Sequence, residues 1–217
     1  MLFDSLTHEE VVDSESALEF MKEATKLASS ADLEDLSERV SLKAECFNKY
    51  LNQTSVEELK EEQFDRIVQL IFSIGRKSKR LIAANGFENL RFRISELLHF
   101  SKPERYWLWT NWIWDPDNNT GALPLVIQEE VDLLGETEGE TYLRVGEAMA
   151  YVHQVGNERG YSRVGHGTYG IDVFLACVYA VYMYTVFRVK LSDEFNRILP
   201  ELPELTRRVL GVQKMEL

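Results

Sequence analysis

Proline and glycine are scarce in the first 85 residues of this 217-residue chain. Few breakers means few enforced turns, which favours long helices there. Cysteine is also rare. Cys46 and Cys177 lie 131 residues apart in apolar surroundings, so they read as two reduced, buried thiols and not as a disulfide framework. No apolar run reaches the roughly 20 residues of a membrane span. The longest uncharged run, Val173 to Phe187, has 15. The opening MLFDSLTHEEVV has neither the basic nor the apolar region of a signal peptide. Together these features lead us to expect a cytoplasmic protein without membrane contact.

Positive charge is in deficit. The chain carries 24 bases against 36 acids, a net charge of −12. Such a balance argues against wrapping nucleic acid with the whole surface. The charge is unevenly spread, however. Residues 76–105 hold eight bases (Arg76, Lys77, Lys79, Arg80, Arg91, Arg93, Lys102, Arg105) and three acids (Glu88, Glu96, Glu104). That segment is +5, which leaves −17 for the remainder. It is either an anion-binding face or a set of helix surfaces salt-bridged to acidic helices elsewhere.

What is present is mostly helical periodicity. Ser16 can cap a helix to Ser29, with Leu18, Met21, Ala24 and Leu27 as its stripe. A second helix fits Leu33 to Asn52. Ser55 to Glu58 forms a capping box before a helix carrying Phe64, Ile67, Val68, Ile71 and Ile74. Lys77 to Ala84 and Phe87 to Phe100 follow, then a short helix from Pro124 to Leu134 and a longer one from Glu138 to Asn157. The apolar segment 171–190 is too long for a strand and reads as a buried helix. Short helices at Ser192–Leu199 and Pro203–Leu210 close the chain. The expectation is an all-α fold of about nine helices. It is one domain, divisible into lobes 1–102 and 103–217, with the second built around 171–190.

All four tryptophans fall in RYWLWTNWIWDPDNN: Trp107, Trp109, Trp112 and Trp114. Their spacing fits a hairpin over 106–114 turning at Thr110-Asn111, or an apolar helix. A core role is the first expectation, because each ring buries roughly 150–250 Å². Stacking on bases or contact with a partner is the alternative. The following DPDNNTG has calcium-like spacing at Asp115, Asp117 and Asn119. Its glycine falls one position late, and Val126 stands where a bidentate Glu is needed. It reads as a turn. His8, His99, His153 and His166 have no metal-ligand spacing. No nucleotide-binding glycine fingerprint, serine elbow or Cys-pair zinc motif is present, so no cofactor or metal is expected. GHGTYGID, residues 165–172, sets glycines before a helix N-terminus, an anion-compatible arrangement that Asp172 opposes.

Ile74-Gly75-Arg76-Lys77-Ser78 resembles the second half of the hairpin in helix-hairpin-helix DNA glycosylases. In that family the hairpin's backbone N–H groups grip a DNA phosphate, and Lys77 would match the catalytic lysine. Phe72-Ser73 replace the family's Pro-Gly, and no Asp lies between Lys77 and Asp115 to match its aspartate. The resemblance therefore implies contact with nucleic acid more than base excision. Leu97 to Trp109, LLHFSKPERYWLW, is similar to a pattern in helical, glycosylase-like proteins that accompany restriction and defence systems. The apolar GIDVFLACVYAV is similarly placed. Arg93 and His99 resemble the Arg-x4–6-His signature of HEPN ribonucleases, in which Arg holds a phosphate and His moves a proton. A regular helix would set these two about 120° apart.

These residues imply a non-catalytic helical module that contacts nucleic acid through Arg76, Lys77, Lys79, Arg80, Arg91, Arg93 and Arg105. The alternative is an acidic subunit for a protein partner. A nuclease or glycosylase comes third.

Overall fold

The computed structural model describes residues 15–28, 36–53, 90–160, 167–190 and 200–214. These form six α-helices: α1 (Glu15–Ala28), α2 (Leu36–Gln53), α3 (Leu90–Ser101), α4 (Glu138–Glu158), α5 (Gly170–Lys190) and α6 (Leu202–Leu210). One turn of 3-10 helix spans Leu123–Leu125. The fold is all-α, with no strand among the described residues beyond a single bridge between Asp115 and Thr120. The helices expected at 55–84 and 192–199, which would bring the total to about nine, lie outside the described residues.

α5 is the centre of the core. Residues 173–178 and Ala180, from the long uncharged run, are buried, and Ile171 and Asp172 are buried ahead of them. α1 and α6 pack along it, and α2 touches both α3 and α5. α1 presents Ala17, Met21 and Ala24 at i, i+4 and i+7. Asn48 ties α2 to α3 by donating from Nδ2 to the Phe100 carbonyl at 2.9 Å. Buried residues from Met21 to Val212 belong to one cluster, so helices distant in sequence share one core. No described helix is long and apolar enough to cross a membrane.

Local chemistry explains the helix ends. Thr137 caps α4 by accepting from the Glu140 N–H at 3.1 Å. Gly211 closes α6 in the left-handed region, φ 69°, with its N–H on the Arg207 and Arg208 carbonyls.

Three expectations change. The helix expected from Pro124 to Leu134 stops after Leu125, and Asp132 Oδ1 accepts from the Leu134 N–H at 2.9 Å. A side chain that captures a nearby N–H competes with helical hydrogen bonding. The hairpin expected over 106–114 does not form, nor does the alternative helix. Residues 106–110 form neither helix nor strand. The N–H groups of Ile113 and Trp114 both donate to the Thr110 carbonyl, curling the chain into a tight turn. The third change is Cys46, which is exposed while Cys177 is buried. Among the described side chains of α2, Leu36, Val40 and Ala44 are buried, and Cys46 lies about 200° round the helix from Ala44.

Candidate functional site

The tryptophan segment is anchored from α3. Ser95 donates from Oγ to the Trp107 carbonyl at 3.1 Å and accepts from the Trp109 N–H at 2.6 Å. Trp109 and Trp114 stack with ring centroids 6.3 Å apart, and Trp109 Nε1 donates to the Trp114 carbonyl at 2.9 Å. Both belong to the core; Trp107 and Trp112 are half-buried against it. The Trp107 indole lies on α4 where Gly146 leaves room: a Cβ there would stand 2.3 Å from Trp107 Cδ1.

The Asp-rich turn that follows is closed by its own side chains. Asp115 accepts from the Asp117 N–H at 3.0 Å and from Asn118 Nδ2 at 2.7 Å. Asn119 takes a positive φ of 49° and accepts from Trp114 Nε1 at 3.1 Å. Among the described residues no group of three or more His, Cys, Asp or Glu could hold a metal ion.

The basic residues divide. Arg76, Lys77, Lys79 and Arg80 lie outside the described residues, as does the side chain of Arg93. Arg105 is exposed, its guanidinium 5.7 Å from the centre of the Tyr106 ring. Arg91 is a basic residue turned inward: its side chain is 8% exposed. It pairs with Asp117 at 2.8 Å, Glu138 at 3.4 Å and Asp115 at 4.0 Å, and lies over Phe92 and Trp109. Its charge is balanced by those carboxylates, as in the salt-bridged alternative for this segment.

His99 is also turned inward, 3% exposed. Nδ1 is 2.8 Å from the Tyr106 carbonyl and Nε2 is 3.0 Å from Asp172 Oδ2. A carbonyl only accepts, so Nδ1 carries a proton. The contact to Asp172 then needs a second proton between ring and carboxylate. Burial alone would lower the pKa of His99, but the charge and hydrogen bond of Asp172 outweigh it, and the ring titrates above its ordinary 6.5. Tyr169 and Phe100 meet the ring edgewise. With both nitrogens engaged, His99 joins α3, the loop after it and α5.

Beside this pair lies a small cavity, polar on the side of Lys43, Glu96, Thr110 and Asp172 and apolar on the side of Val40, Leu108 and Trp112. Lys43 donates to the Leu210 carbonyl at 2.9 Å and stands 4.7 Å over the Phe100 ring. Burial lowers its pKa below the usual 10.5, against the opposing pull of Glu96 and Asp172.

A second, wider feature follows the Asp-rich turn. A cleft of about 580 Å³ runs past Trp114, Pro116, Pro124, Ile127 and Leu133. Glu129, Glu130 and Asp132 also line it, and none of the described residues that line it is basic. Glu129 and Glu130 are exposed; Asp132 lies 3.7 Å from Arg144. The sequence carries a signal for this face: residues 106–143 contain eight acids and no Lys, Arg or His. A count centred on the basic segment passes over it.

Compared with known proteins, the chain matches no protein-family model, no curated protein and no solved structure.

Proposed function

We propose that this chain is a non-catalytic helical module that receives a protein partner on its acidic face. The observation that carries this reading is the cleft between Trp114 and Leu134, lined by apolar side chains together with the exposed carboxylates of Glu129 and Glu130. Apolar floors supply binding area, and rim charges select the partner and speed its approach. The complementary occupant is a basic protein segment bearing one apolar side chain. The inward roles of Arg91 and His99 support the same reading, since both serve the core.

Calorimetric titration with Lys/Arg-rich peptides carrying a central Leu or Phe tests it. Binding is expected at low salt, weaker at high salt, and weaker again in Glu129→Lys/Glu130→Lys. If such peptides fail to bind at low salt, or if the double variant binds equally well, the reading is wrong.

A second reading is contact with nucleic acid through residues 76–105. Its support is the +5 charge of that segment, its resemblance to a phosphate-gripping hairpin, and the exposed Arg105 at its end. It predicts DNA or RNA binding that falls steeply with salt and falls further on charge reversal at Arg76, Lys77, Lys79 and Arg80. Absence of binding at low salt would remove it.

A further inference from the structure

The cavity beside the His99–Asp172 pair is lined by two residues, Asp172 and Thr110, that each carry a buried polar atom without a hydrogen-bond partner among the described residues. Asp172 is 1% exposed; its Oδ2 faces His99, while Oδ1 has no hydrogen-bond partner among the described residues. Thr110 is 6% exposed, and its Oγ1 is likewise without one. Both residues line the same cavity, with Lys43 and Glu96. Buried polar atoms are seldom left bare, and a bare carboxylate oxygen is among the costliest.

Size and charge together narrow the occupant. The cavity holds about 20 Å³. A water needs about 10–15 Å³ by the same measure, together with two to four polar partners. An organic ligand does not fit. An anion would meet Asp172 and Glu96, and a metal ion would meet the Lys43 ammonium at close quarters. A small neutral molecule that both donates and accepts suits the polar side of the cavity, and its lack of charge suits the apolar side formed by residues such as Val40, Leu108 and Trp112. It can donate to Asp172 Oδ1, exchange a hydrogen bond with the Thr110 hydroxyl, and accept from Lys43, whose ammonium has donors beyond the one on Leu210.

We infer that this cavity is a binding site for a single water molecule, held by Asp172 and Thr110. The water completes a hydrogen-bonded chain from Lys43 through Asp172 to His99. That chain links α2, α3, the loop at Thr110 and the first turn of α5, and through the Leu210 carbonyl it reaches the end of α6. It differs from the acidic cleft in place and in ligand, and it does not depend on the partner proposed there.

A high-resolution crystal structure of the full chain, with a count of long-lived waters by magnetic relaxation dispersion, tests the site. The expected density is one solvent peak within hydrogen-bond reach of both Asp172 Oδ1 and Thr110 Oγ1. Thr110→Val is expected to lose one long-lived water, while Thr110→Ser, which keeps the hydroxyl, retains it. A protein donor seated directly on Asp172 Oδ1 would overturn the inference. So would a metal ion at the peak, or an equal water count in Thr110→Val. If that variant does not fold, the density in the unaltered chain decides.

Discussion

His99 Nε2 lies 3.0 Å from Asp172 Oδ2, a contact between two buried side chains 73 residues apart. It joins the C-terminal turn of α3 to the first turn of α5. Each residue suits its helix end: an acid stabilises a helix N-terminus and a protonated histidine a C-terminus.

The pair makes stability depend on pH. The folded-state pKa of His99 is raised above 6.5. Its contribution is then complete below about pH 6.5 and is lost as pH rises through the folded value. Denaturant melts across this range should show that loss in the native chain and not in His99→Gln. Ring-proton NMR should place the His99 titration above that of an unfolded histidine.

Removing one member leaves the other buried and uncompensated. Asp172→Ala is expected to cost about 3–5 kcal/mol by urea unfolding. A change below 1 kcal/mol would mean that the pair is solvated or exchangeable.

Arg91 provides a test of the basic segment. Arg91→Ala removes the 3.4 Å ion pair that Arg91 makes with the buried Glu138 and its 2.8 Å pair with Asp117. The expected loss is about 3 kcal/mol of stability. Should the variant melt like the original chain, Arg91 is not an interior cation paired with these carboxylates.

Close packing of Trp107 on α4 makes Gly146 sensitive to the smallest substitution. In an exposed helix Gly→Ala normally stabilises, by up to about 1 kcal/mol. Here the added methyl meets the indole, and a loss of about 1–3 kcal/mol is expected. Thermal unfolding followed by tryptophan fluorescence reads both the loss and any shift of the ring.

The two thiols should separate cleanly. Burial pushes Cys177 up to about 12, whereas Cys46 is exposed. A thiol reagent at neutral pH should label one cysteine in the folded chain and two after denaturation. Mass mapping should find the label on Cys46.

The all-α class could be read directly from the sequence, because helical periodicity and the scarcity of breakers are local. α4 and α5 fall within a residue of their expected bounds for that reason, and the Asp-rich segment forms the expected turn. The path of the four tryptophans was not legible. Their spacing satisfied a hairpin and a helix equally, and Ser95, a residue of α3, selects neither. The role of Arg91 could not be read either, since its three carboxylates lie 24 to 47 positions along the chain. Sequence alone therefore determined which segments coil and where acid and base are concentrated. Tertiary structure decided which charges face inward, because pairing and burial depend on distances that only the folded chain sets. It also brought His99 to Asp172 and assembled the acidic cleft from the expected turn after Trp114 and from residues 124–134, which the sequence had pointed to as a helix.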